Sequence, residues 1–88
     1  MPQPTTRVDV LPIQEVVATA SPTAWRDGIV VVQGDALVTV ALLDGGTRTL
    51  TTRATPEPGE PVAVHPVAEL LAVGGVWFAA RPTDDVRS

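Results

Sequence analysis

His65 is the first side chain to examine for catalytic or metal-binding chemistry, because it is the one histidine in the 88-residue chain. Acid–base catalysis by an imidazole needs a partner that orients the ring, and the nearest carboxylate in sequence is Glu69. His65 ends an apolar run and precedes Pro66, which favours an ordinary histidine at the rim of a strand. The chain has no cysteine, so one histidine cannot complete a zinc or other transition-metal site.

The other polar side chains have structural interpretations. Asp84 and Asp85 form a carboxylate pair near the C-terminus, where such pairs are usually solvated. Three aspartates lie within one residue of a glycine, as turn residues that bond their own backbone do: Asp27, Asp35 and Asp44. The two serines, Ser21 and Ser88, lie outside any nucleophile-elbow motif. The glycine pairs fall in predicted hairpins and not in a phosphate-binding loop. We therefore expect no catalytic residue, no metal site and no cofactor.

Composition narrows the class of protein further. The net charge is −4, and the six basic residues are all arginines scattered along the chain. Phosphate backbones are bound by basic stripes and bases by aromatic platforms, so we expect no nucleic-acid partner. No segment resembles a signal peptide or a membrane span, and a soluble protein without a membrane partner is expected. A domain this small buries only roughly 60% of its unfolded surface, which favours a homo-oligomer.

Alternating apolar residues predict an all-β fold. A β-branched run at 28–34 is followed by alternation at 37–43, a turn at Asp44–Gly46 and a threonine-rich strand beginning at Thr47. Three prolines between residues 56 and 61 predict a rigid loop, and strands resume at 62–65 and 76–81. Five or six short strands with regular turns are typical of a small antiparallel barrel, here of the OB-like kind.

Three segments set the domain boundaries. Residues 1–13 are predicted to form an extended N-terminal arm, with a strand near residues 7–13 that Pro12 interrupts. Residues 14–20 are ambiguous, and the β-branched pair Val16–Val17 favours a strand over a helix. Residues 67–73 combine helical spacing with a strand that turns back at Gly74–Gly75. The barrel domain is thus predicted at 14–82, followed by a flexible polar tail at 83–88.

The aromatic residues are the best candidates for a subunit interface. Trp77 and Phe78 are adjacent in a predicted strand, so their side chains face opposite sides of the sheet. One can fill the core, while the other is either a subunit contact or is covered by the N-terminal segment. An extended arm can also add to a neighbour's sheet. The predicted interface residues are Trp25, Arg26, Trp77, Arg81, Val8 and Val10.

The order of these elements resembles a specific family. Residues 28–82 are similar to the small OB-fold β-barrels in tail proteins of long-tailed actinobacterial phages. The likeness lies in a V-x-V strand, a D-G turn, a P-x-x-G-[DE]-x-V-x-V element and a glycine turn before an aromatic strand. The matching residues are Val38, Val40, Asp44, Gly45, Pro56, Gly59, Glu60, Val62, Val64, Gly74, Gly75 and Trp77. The chain departs from the family pattern at residues 65–72, which are longer and contain Pro66.

The resemblance implies a non-enzymatic structural protein of a phage virion. It would be a minor tail or tail-tip component that self-assembles or docks on other virion proteins after synthesis in the host cytoplasm. Two alternatives stay open. The first is a capsid decoration or cement protein, which is also commonly small, acidic and rich in β-structure. The second is a free OB-like adaptor that binds a protein or another ligand.

Overall fold

The computed structural model describes residues 6–83 of the chain. This part contains one helix, one 3₁₀ turn and seven strands. In chain order they are Thr6–Val8 (β1), Pro12–Ala20 (α1), the 3₁₀ turn Pro22–Ala24, Arg26–Gly34 (β2), Leu37–Leu42 (β3), Thr47–Thr52 (β4), Pro61–His65 (β5), Leu70–Val73 (β6) and Val76–Pro82 (β7).

Six of the strands form a closed antiparallel barrel, which confirms the predicted fold class. The order around the barrel is β2, β3, β4, β7, β6, β5 and back to β2. Two three-stranded meanders, β2–β4 and β5–β7, are joined along two seams, where β2 pairs with β5 and β4 pairs with β7. Six strands lie within the predicted range, although an OB-fold barrel has five.

The alternation of apolar residues determines which side chains enter the barrel. Along β3, Val38, Val40 and Leu42 are buried, while the intervening residues face outward. Because successive strand residues point to opposite sides, the other strands fill the interior in the same way. The buried interior residues are Val30, Val38, Val40, Leu42, Leu50, Ala54, Val62, Val64, Leu71 and Ala80. The predicted β3–β4 hairpin is confirmed, with Gly45 and Gly46 at positive φ in its turn.

The segment before the barrel differs from the prediction. Residues 14–20 belong to helix α1, so the strand favoured by Val16 and Val17 is wrong. Pro12 lies in the first turn, where its fixed φ suits a helix, and this signal outweighs the β-branched pair. The helix also crosses the predicted boundary between arm and barrel. Within the predicted arm, β1 pairs in parallel with β7 of the same chain, and residues 1–5 lie outside the described residues.

The second ambiguous segment forms a turn and a strand. Residues 66–69 make a tight turn, with Glu69 at a φ of 57°, and β6 follows at Leu70–Val73. The helical spacing of Val67, Leu70 and Leu71 therefore does not indicate a helix. Leu70 and Leu71 are instead buried on opposite sides of β6. The predicted reversal at Gly74–Gly75 is confirmed, since β6 and β7 pair across it.

Gly28 is required where β2 is paired on both edges. It lies opposite Leu42 of β3 and Val62 of β5, and a Cβ there would lie 2.5 Å from Cγ1 of Val40 and 2.8 Å from the backbone oxygen of Ala41. Gly28→Ala should lower the free energy of unfolding by about 2–3 kcal/mol, because a paired backbone cannot move aside. Urea denaturation would measure the change.

The matched control is Gly34→Ala, later in the same strand. A Cβ at Gly34 meets no atom within 4 Å, and its φ is not positive. This variant should unfold within about 0.5 kcal/mol of the wild type. Equal losses of stability in the two variants would contradict the close-approach explanation.

Candidate interaction surface

A second hydrophobic cluster lies on the outside of the barrel, beneath α1. Ala18 of the helix is buried against Ala68 and Leu70, and half-buried apolar side chains surround them. Those surrounding residues are Val10, Val17, Trp25 and Trp77. The helix, together with Val10 and Trp25, therefore forms a partial outer layer over β6 and β7, while β1 lies beside β7 in the sheet.

The two tryptophans pack against each other within this layer. The ring centroids of Trp25 and Trp77 lie 5.2 Å apart, and the guanidinium of Arg7 lies 5.0 Å from the Trp77 centroid. Arg7 also forms an ion pair with Glu15 of α1. Phe78 packs against the barrel interior. Of the two interpretations left open for the outward-facing aromatic, cover by the N-terminal segment accounts for the contacts of Trp77.

His65 is fully buried between this layer and the barrel, so its predicted position at an exposed rim is wrong. The backbone N–H of Ala68 donates to Nδ1 at 3.0 Å, and Nε2 lies 2.9 Å from the backbone oxygen of Ser21. Because Nδ1 accepts, the ring proton is on Nε2, which donates to Ser21. The ring also contacts Trp25 edge-on, at 5.0 Å between centroids. Both ring nitrogens are used structurally, and Glu69 does not bond to the imidazole.

The Gln14 side chain attaches the start of α1 to the barrel. Its Oε1 accepts from the backbone N–H of Leu11 at 2.8 Å, which satisfies a donor that the helix leaves free. Its Nε2 donates to the backbone oxygens of Ala68 and Glu69, at 3.0 and 3.1 Å. One amide therefore caps the helix and ties it to the turn before β6. Sequence reasoning missed this residue, although glutamine two positions after Pro12 is a known helix-start signal.

The remaining predicted interface residues differ in exposure. Arg26 lies 3.5 Å from Asp44 in an exposed ion pair. Val8 and Val10 are half-buried, and Val10 packs into the outer cluster. Arg81 is exposed and lines a cleft near α1. Three of the six predicted interface residues, Val10, Trp25 and Trp77, thus belong to the outer cluster, and the role of all six in contacts between subunits stays a prediction.

A group of exposed apolar side chains was not predicted from the sequence. Leu11, Ile13 and Val16 of the α1 region and Val67 of the neighbouring turn are each 60–65% exposed. We call these four residues the α1 face. Among the clefts that adjoin it are two, of about 380 and 170 Å³, that are both lined by Ile13, Gln14 and Glu69. Arg81 and Asp9 add charge to the rim of the larger cleft. Scattered exposed apolar residues are normal, but a contiguous group often marks a protein interface.

Comparison of the chain with protein-family models, curated proteins and solved structures found no match. Among residues 6–83, no three histidine, cysteine or acidic side chains are grouped so that they could hold a metal ion. No helix in the same range is long and apolar enough to span a membrane. The predicted carboxylate pair Asp84–Asp85 and Ser88 lie outside the described residues.

Replacement of His65 tests its structural role. His65→Phe keeps a ring of similar size but leaves the buried N–H of Ala68 without an acceptor. It also removes one of two donors to the backbone oxygen of half-buried Ser21, which still accepts from the N–H of Ala24 at 3.1 Å. The free energy of unfolding should fall by about 1–3 kcal/mol, the cost of one buried donor left unpaired. Chemical denaturation measures the loss, and Val67→Ala, in the exposed part of the same turn, is the control. A stable His65→Phe protein would contradict the assigned hydrogen bonds.

Replacement of Gln14 tests the attachment of α1. Gln14→Glu retains the acceptor for Leu11 but removes both donors and places a carboxylate beside two carbonyl oxygens. Stability should fall by about 1–2 kcal/mol. Gln33→Glu makes the same change in charge at a glutamine whose Nε2 donates to the backbone oxygen of its neighbour Gly34 in the same strand, so it should have little effect. If both variants lose the same stability, the added charge and not the lost bonds is responsible.

Proposed function

We propose that this chain is a non-enzymatic structural subunit of a phage virion, and specifically a minor tail or tail-tip protein. The observation that carries the proposal is the α1 face, whose four apolar side chains stay 60–65% exposed in the isolated chain. A protein interface has an apolar centre and a polar rim. On this chain the rim is supplied by residues of the adjoining clefts, including Asp9, Glu69 and Arg81.

The construction of the surrounding layer supports this proposal. Trp25, Trp77 and His65 are committed to contacts within the chain, so the outer layer is rigidly attached and can present α1 without rearrangement. Preformed surfaces bind with a smaller entropic cost than surfaces that must first become ordered. The partner would be another virion protein with apolar side chains that fit against Ile13 and Val16.

The placement in a phage tail rests on the resemblance of residues 28–82 to tail-protein barrels. The β3–β4 turn, the proline-rich loop and the aromatic strand that carry this likeness are β-barrel elements in the structure. An acidic barrel, with a net charge of −4, also suits a protein contact better than a contact with packaged nucleic acid.

Quantitative mass spectrometry of purified virions tests the proposal. We expect the chain in particles at a few to a few dozen copies, as a minor tail component would be. Hundreds of copies would instead favour a capsid decoration protein, and absence from particles would exclude the virion function.

A pair of variants tests the α1 face separately. Ile13→Glu places a charge at the centre of the face, where Ile13 is 63% exposed, so folding should be retained while incorporation into particles falls at least about tenfold. Leu43→Glu is the matched control, because Leu43 is 71% exposed in the β3–β4 turn and lines neither cleft. Equal incorporation of the two variants would show that the α1 face is not the docking surface.

A further inference from the structure

Strand β2 extends beyond the part of the barrel wall that covers it. Residues 26–29 pair with β5, and Val30 bonds to the loop before β5 through Gly59 and Glu60, at 2.7 and 3.0 Å. A β-bulge follows between Val30 and Val32. Among residues 6–83, β3 is the one strand paired with residues 32–34, and the bulge leaves Val31 without a strand partner. The opposite edge of this segment, which we call the β2 edge, therefore has no strand beside it.

The β2 edge has neither a charged side chain nor a proline to prevent strand addition. Natural edges are protected by charged side chains, prolines, β-bulges or very short strands. Of these features, the β2 edge has the bulge between Val30 and Val32, at its start. Residues 31–34 are Val-Val-Gln-Gly and contain neither a charge nor a proline. Val31 and Val32 are 48% and 56% exposed. The edge of β1, in contrast, is three residues long and carries Arg7, which is paired with Glu15.

We propose that the β2 edge is a strand-addition surface, and that its occupant is the β2 edge of a second copy of this chain. The two segments would pair antiparallel across a two-fold axis, joining the two barrels through a continuous sheet. This inference does not depend on the virion function, because it concerns a different surface from the α1 face.

The charge pattern favours a second copy in this orientation. An antiparallel two-fold arrangement centred on Gln33 places residues 32–34 opposite residues 34–32, so an uncharged segment meets itself. The two Asp35 carboxylates then lie at opposite ends of the paired segment, separated by about four residues or roughly 13 Å. That distance exceeds the Debye length of about 8 Å at physiological ionic strength, so their repulsion is screened. A parallel pairing would bring the same carboxylates to within about 5 Å.

The side chains next to the edge add to the contact. Leu37, paired with Gly34 across the turn, is 43% exposed on the neighbouring strand. Gly34 has no side chain that would keep the second copy away from Leu37. Val32, Leu37 and their equivalents in the second copy would therefore form a small apolar centre over the new backbone hydrogen bonds. A contact of this size should give a weak, reversible dimer.

Sedimentation equilibrium of the full chain tests the proposal. Wild-type protein from about 10 μM to about 1 mM should show a reversible monomer–dimer equilibrium. Val32→Lys places like charges on both sides of the two-fold axis and should raise the dissociation constant at least about tenfold. Leu43→Lys adds the same charge outside the β2 edge, at a residue that is 71% exposed where Val32 is 56% exposed, and should dimerise as the wild type does. Thermal unfolding confirms that both variants are folded.

Amide hydrogen exchange separates strand addition from other modes of dimerisation. Amides of residues 31–34 that point away from β3 should become protected as the concentration of protein rises, because they would donate to the second copy. A chain that stays monomeric to about 1 mM would overturn the proposal. So would a dimer that Val32→Lys does not weaken, or a dimer without new protection in this segment. If Ile13→Glu and not Val32→Lys dissociates the dimer, the α1 face is the self-contact.

Discussion

The narrow interior of a six-stranded barrel is the constraint on which the rest of this structure depends. Six short strands enclose a space that valine, alanine and leucine fill, and the largest side chain packed against it is Phe78, at the margin. Backbones approach so closely that β2 needs a glycine where it is paired on both edges. An interior this small contributes limited hydrophobic stabilisation, since burial is worth about 25 cal/mol per Å² of apolar surface. Additional burial has to come from the outside of the barrel.

The outer layer supplies that burial from the same strands. Leu70 and Leu71 are neighbours in β6, and Trp77 and Phe78 are neighbours in β7, so each pair contributes one side chain to the barrel interior and one to the cluster beneath α1. Each of these two strands is therefore apolar on both sides. His65 lies at the junction, where its two ring nitrogens connect the 3₁₀ turn to the turn before β6. A helix of nine residues is too short to be stable alone. Helix α1 is therefore stabilised by these contacts and by the hydrogen bonds of Gln14.

The parts of the fold that could be predicted are those with strong local signals. The hairpin of β3 and β4 has strict alternation of apolar residues and an Asp-Gly-Gly turn, so its structure can be predicted from residues 37–52 alone. Helix α1 was not predicted because the β-branched pair Val16 and Val17 favours a strand, whereas Pro12 and Gln14 start the helix through specific backbone geometry. The α1 face was not predicted either, because its side chains come together only when residues 11–16 form the start of a helix. The buried His65 bonds to Ser21, which is 44 residues away in sequence, so its burial could not be predicted from the residues next to it.

The arrangement of the barrel as two meanders has a consequence for the order of folding. Within each meander, every paired strand is the next one along the chain, so β2–β3, β3–β4, β5–β6 and β6–β7 form over short loops. The seams β2–β5 and β4–β7 join residues that are 28 to 38 positions apart in sequence, and the entropic cost of loop closure is concentrated there. The rate-limiting step of folding is accordingly expected to be the association of the two meanders, which the proline-rich segment 56–61 connects.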